Sequence, residues 1–142
     1  MAKLVKKNIY LDTGKFIFDF KFKEAVTVII GDSASGKTLF YNKLQARAIA
    51  RGIDTFKFFN YKTDKSELRS LLDSYRDKVI IIDNADILLD SSYREKLYYD
   101  KSNQYIIFGR EISMYPVKKL GIASIAEDSR KFSLQYVFKP KE

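Results

Sequence analysis

Eight consecutive residues, Gly31-Asp32-Ser33-Ala34-Ser35-Gly36-Lys37-Thr38, place two glycines five positions apart and follow the second at once with a lysine and a hydroxyl. This arrangement suits a phosphate chain. The glycines permit backbone angles that turn successive N–H groups inward, making an anion nest. A helix starting at Lys37 would add its N-terminal amides and the positive end of its dipole to the same point. Lys37 is then placed to reach the β- and γ-phosphates, and the Thr38 hydroxyl to ligate Mg²⁺.

A magnesium-bound phosphate chain also calls for an aspartate at the end of a second buried strand, opposite that hydroxyl. Val79-Ile-Ile-Ile-Asp83 supplies one. The competing reading of Asp83 is a turn or helix-cap residue after a core strand.

Together these segments resemble the P-loop NTPases, with Walker A at Gly31–Thr38 and Walker B at Val79–Asp83. Within them the chain is most similar to the division that inserts a strand between the two motifs, which includes the AAA+ and ABC-type ATPases. The resemblance spans roughly residues 8–110 and is specific only in the two motifs. It implies ATP and Mg²⁺ as cofactors, with nucleotide contacts from Gly31, Asp32, Ser33, Ala34, Ser35, Gly36, Lys37, Thr38 and Leu39. The metal would be held by Thr38 and Asp83. The implied catalytic set is Lys37, Asp83, Asp86 and Arg110. Arg110 either senses the γ-phosphate or forms a salt bridge with Glu111, Asp83 or Asp86.

The departures from the family pattern bear on turnover. The glutamate that usually follows the Walker B aspartate is Asn84 here, and an amide cannot accept a proton. Asp86 is a substitute with a different reach, and Glu111 a more distant one. There is no Leu-Ser-Gly-Gly-Gln signature, no Asp-x-x-Gly after the second strand and no Asn-Lys-x-Asp, which argues against a GTPase.

Composition narrows the chemistry further. The chain of 142 residues contains no cysteine and no histidine. A disulfide framework, a thiol nucleophile and imidazole catalysis are therefore excluded. With 46% hydrophobic and 15% aromatic residues, a packed core is expected rather than disorder. The net charge of +8 fits either a nucleic-acid partner or a solvated lysine-rich surface. No apolar run approaches a membrane span or a secretory leader, so a cytoplasmic chain without membrane contact is expected.

The elements that must position these residues follow from periodicity. Ile9–Leu11 and Phe16–Phe22 alternate around Asp12-Thr13-Gly14-Lys15, a hairpin pattern that turns Phe16, Phe18, Phe20 and Phe22 to one face. Ala25–Ile30, Val79–Ile82 and Tyr105–Phe108 are continuous apolar runs suited to strands buried on both faces, and Thr55–Phe59 is a short strand. Lys37–Arg51 reads as a helix ending at Gly52. Asp64 and Glu67 open a second helix with Leu68, Leu71, Leu72 and Tyr75 on its apolar face, and Ser92 and Glu95 open a third. Ile122–Ala126 and Phe132–Phe138 form a closing hairpin.

The expected architecture is one domain, residues 1–142, in a three-layer α/β/α arrangement. A mostly parallel core sheet would carry helices on both faces and an antiparallel strand pair at each end. The expected activity is a small ATPase that couples Mg·ATP binding, or slow hydrolysis, to a protein or nucleic-acid partner, with a homo-oligomer compatible. The alternatives are a nucleotide-gated binding module without useful hydrolysis, and a small P-loop kinase.

Overall fold

A computed structural model describes residues 4–31, 36–60, 62–63, 65–83, 97, 100–109 and 121–136. The described strands are β1 (Asn8–Asp12), β2 (Ile17–Lys21), β3 (Val26–Ile30), β4 (Phe56–Phe59), β5 (Val79–Ile82), β6 (Gln104–Gly109), β7 (Gly121–Asp128) and β8 (Lys131–Tyr136). The described helices are α1 (Lys37–Arg51) and α2 (Lys65–Ser74). Asp64, the helix expected from Ser92, and Val137–Phe138 of the closing hairpin lie outside the described residues.

All eight strands join one mixed sheet in the order β1-β2-β8-β7-β3-β6-β5-β4. The apolar runs form three adjacent interior strands, β3, β6 and β5. β7, β3, β6, β5 and β4 pair in parallel, with Val28 level with Ile107 and Ile81 level with Ile106. The hairpins β1-β2 and β7-β8 are antiparallel and are joined to each other by parallel β2-β8 pairing.

The expected three-layer α/β/α arrangement is not what forms. The sheet is curled into a half-barrel, strands predominate, and the described residues contain only two helices. The expected antiparallel pairs at both ends are likewise corrected, because both hairpins lie on the same side of the parallel strands and β4 alone ends the other side. The physical reason lies in the phenylalanine face of β2. Phe18 and Phe20 are fully buried and meet Phe40 of α1 at ring-centroid distances of 5.4 and 4.5 Å. Phe132 of β8 stacks on Phe18 at 4.8 Å. Residues of β1, β2, β5, β6 and β8 therefore share one core cluster with Phe40, Tyr41 and Leu44 of α1. The sheet wraps around this helix and supplies apolar cover that a helical layer would otherwise provide.

The opposite face packs Val26, Val28, Ile80, Ile82, Tyr105 and Ile107 against Leu68 and Leu72 of α2, together with Leu97. Period-2 alternation along β5 thus sends Val79 and Ile81 toward α1 and Ile80 and Ile82 toward α2.

The start of β6 is pinned by a buried amide. Gln104 Oε1 accepts the Val5 and Lys6 N–H groups at 2.8 and 2.6 Å, and Gln104 Nε2 donates to the Lys6 carbonyl at 3.0 Å. Gln104→Leu keeps the volume but strands these backbone groups. It is expected to lower stability by about 1–3 kcal/mol, read as a shift in urea midpoint at unchanged slope.

Candidate functional site

The Gly31–Gly36 segment joins the end of β3 to the start of α1. Gly31 follows Ile30 directly with φ 149°, and Gly36 caps α1 with φ 97°. Both angles lie where side-chain-bearing residues are rare. Gly36 has a second constraint, since a Cβ there would lie 3.3 Å from Cε1 of Phe132. Asp32, Ser33, Ala34 and Ser35 lie outside the described residues.

Among the described residues, the start of α1 carries no acidic side chain of its own, and Gly36 offers no side-chain cap. The first helical hydrogen bond runs from Phe40 N–H to the Gly36 carbonyl at 3.0 Å. Amides at such a terminus are positioned to receive an external anion.

Lys37 is buried, at 7% exposure, and its ammonium donates to the Gly31 carbonyl at the start of the loop. Thr38 is exposed and Leu39 half-buried on the same turn.

Asp83 follows the last residue of β5, and its N–H donates to the Phe59 carbonyl at 2.8 Å. Register fixes its relation to the loop. Ile82 is level with Ile107, and Ile30 is level with Gly109, so β6 stands between the strand ending at Asp83 and the strand ending at Gly31. At about 4.8 Å per strand spacing the two chain segments are roughly 10 Å apart, at the same edge of the parallel strands. Asp83 continues the parity of Val79 and Ile81, which face α1. Arg110 comes next in the chain after Gly109 of β6 but lies outside the described residues, as do Asn84, Asp86 and Glu111.

Sequence reasoning did not find Tyr41 and Asn60. Tyr41, one residue after the core anchor Phe40, is buried against the β-strands. Burial pushes its phenol up to about 12, the negative charge of Asp83 adds to the rise, and a hydrogen bond with Asn60 opposes it. Asn60 follows β4 and is fixed by its own turn, with its N–H on Thr63 Oγ1 at 3.1 Å and its Oδ1 accepting the Lys62 N–H at 2.9 Å. Tyr41, Asn60 and Asp83 thus bring α1, β4 and β5 together at the loop edge. Their separation along the chain leaves no short-range signal for this grouping.

Two outcomes follow from these placements. The folded Tyr41 phenol titrates above its unfolded value of about 10, so its contribution to stability is complete below pH ~10 and is lost as pH rises toward 12. Tyr41→Phe should flatten the fall of the denaturation midpoint over that window. Gly36→Ala forces an L-residue to φ 97° and meets Phe132, and should lower stability by about 1–2 kcal/mol from backbone strain alone. Chemical denaturation reads both, and Gly36→Ala combined with Phe132→Leu should recover only the part due to the ring contact.

Among the described residues no helix is long and apolar enough to cross a membrane. No family model matches the chain, and a search of curated proteins found no match.

Proposed function

We propose that the chain binds Mg·ATP at Gly31–Leu39 and couples that binding, or slow hydrolysis, to a protein or nucleic-acid partner. The observation that carries this reading is the combination at the β3–α1 junction. Two glycines with positive φ bracket the segment, Gly36 gives the helix start no side-chain cap, and the buried Lys37 ammonium donates to the Gly31 carbonyl. Each feature has an ordinary structural use, but their coincidence within one G-x-x-x-x-G-K-T segment suits a phosphate chain.

The residues fit the proposed cofactors by their chemistry. Backbone amides of Gly36, Lys37 and Thr38 would donate to the phosphate oxygens, and Lys37 would exchange the Gly31 carbonyl for phosphate oxygens. Mg²⁺ prefers oxygen ligands, commonly one or two carboxylates with phosphates and water, and Thr38 and Asp83 are residues of that kind. Bound Mg²⁺ would offset phosphate charge. Tyr41 and Asn60 would limit the freedom of the β4 and β5 ends beside Asp83.

A second reading, a nucleotide-gated module without useful turnover, is favoured by Asn84 in place of the usual glutamate. Titration of the chain with a fluorescent ATP analogue, with and without Mg²⁺, tests the binding that both readings share. Phosphate release in the presence and absence of DNA and RNA separates them. Absence of saturable binding would overturn both.

A further inference from the structure

We propose that the groove between the open edge of β1 and the C-terminal half of α1 receives an acidic, extended peptide segment of a partner protein, which adds to the sheet as a strand beside β1. This goes beyond the nucleotide reading and does not depend on it.

The strand order leaves β1 at an edge. Its hydrogen-bond phase is fixed at both ends, because Phe22 N–H donates to the Lys7 carbonyl at 2.7 Å and Thr13 N–H to the Phe16 carbonyl at 2.8 Å. Odd-numbered residues therefore turn their backbone groups toward β2, and the even-numbered residues Asn8, Tyr10 and Asp12 turn theirs outward. The Arg47 guanidinium already donates to the Asp12 carbonyl, showing that α1 lies within reach of this edge. Asn8 and Tyr10 remain directed into the groove, in the alternating donor and acceptor pattern that another strand matches.

The groove has a volume of about 200 Å³ and an apolar floor that includes Leu44, Ala48 and Phe56. Among the described residues its charged lining is Lys6, Arg47 and Arg51, with no carboxylate. The nearby Asp54 carboxylate is engaged by Lys57 and Lys78, and Asp12 Oδ1 accepts the Gly14 N–H at 2.8 Å. This charge distribution complements Asp- or Glu-bearing chains. Ile53, 38% exposed, lines the same groove as Arg51. Exposed apolar residues beside basic ones suit a protein contact. A nucleic acid would answer the cations but not the alternating donors and acceptors of an edge strand.

Random dodecapeptides displayed on phage, selected against the whole chain, test the proposal. The enriched sequences are expected to be net acidic, with apolar residues at alternate positions. Their synthetic forms should lose affinity at least about tenfold on Lys6→Glu and on Arg51→Glu. Saturating peptide should also slow hydrogen exchange of the Asn8 and Tyr10 amides at least about tenfold, a readout specific to strand addition. The proposal is overturned by neutral or basic enriched peptides, or by no enrichment. Equal binding to both charge-reversal variants, unchanged exchange at Asn8 and Tyr10, or binding of labelled oligothymidylate where acidic peptides fail would each overturn it too. Loss of ATP-analogue binding would leave every one of these results readable.

Discussion

Lys37→Ala is expected to lower affinity for an ATP analogue by an order of magnitude or more. In the proposed site the ammonium is the cation that would meet the β- and γ-phosphates, and a hydrogen bond to a charged group is worth about 1.5–3 kcal/mol, or roughly 10- to 150-fold. Lys37 is also buried, with its ammonium on the Gly31 carbonyl, so alanine removes apolar stem and a loop contact as well as charge. Lys37→Met separates these effects. Methionine keeps most of the stem in the site between Gly31 and α1, and should lose affinity nearly as far as alanine with a smaller change in unfolding midpoint. Equal affinity in wild type and Lys37→Met, with both chains folded by circular dichroism, would end the phosphate-loop reading.

Continuous apolar runs at Ala25–Ile30, Val79–Ile82 and Tyr105–Phe108 mark strands buried on both faces, and all three are interior strands of the sheet. Gly52 ends α1 where the periodicity stops, with its N–H returning to Ala48 and Ile49. These features are local, so a local pattern reveals them.

The layer arrangement depends instead on long-range contacts. Alternating Phe16, Phe18, Phe20 and Phe22 predicts a strand with one apolar face, but alternation does not say what that face covers. In the fold it covers α1, with Phe132 from the far end of the chain stacked on Phe18. The two hairpins then meet through parallel β2-β8 pairing, a connection between segments more than a hundred residues apart. Phe132 presses on the Gly36 position for the same reason. The part of the candidate site carried by one short motif was thus visible in the sequence, whereas Tyr41, Asn60 and Phe132 enter only through the curl of the sheet.

Sheet curl also gives α1 two separate duties. Its first turn meets the loop at Gly36 and Lys37, and its last turns wall the groove beside β1. A rigid helix of 15 residues spans about 22 Å, so the two ends are distinct surfaces on one body. Variants at Lys37 and at Arg51 should therefore act independently on nucleotide analogue and acidic peptide, unless occupancy of one end shifts the whole helix.

Asn84→Glu is expected to raise ATP hydrolysis at least about tenfold if the wild-type chain turns over slowly or not at all. Asp83 closes β5 on the side of the sheet that faces α1, and the resemblance to P-loop NTPases puts a carboxylate at the next position, where it acts on the attacking water. Asparagine there can orient a water but cannot take its proton. A well-placed general base contributes roughly 10²–10⁴-fold, so the substitution has room for a large gain even if its geometry is imperfect. Asp86 supplies the competing outcome. If Asp86 already serves as base, Asn84→Glu changes little, whereas Asp86→Ala removes turnover and leaves analogue binding intact. Single-turnover hydrolysis, measured for both variants beside a binding titration, distinguishes the two. A rate unmoved by either substitution would remove catalysis from this edge of the sheet and leave Gly31–Thr38 with Asp83 as a site that binds nucleotide without hydrolysing it.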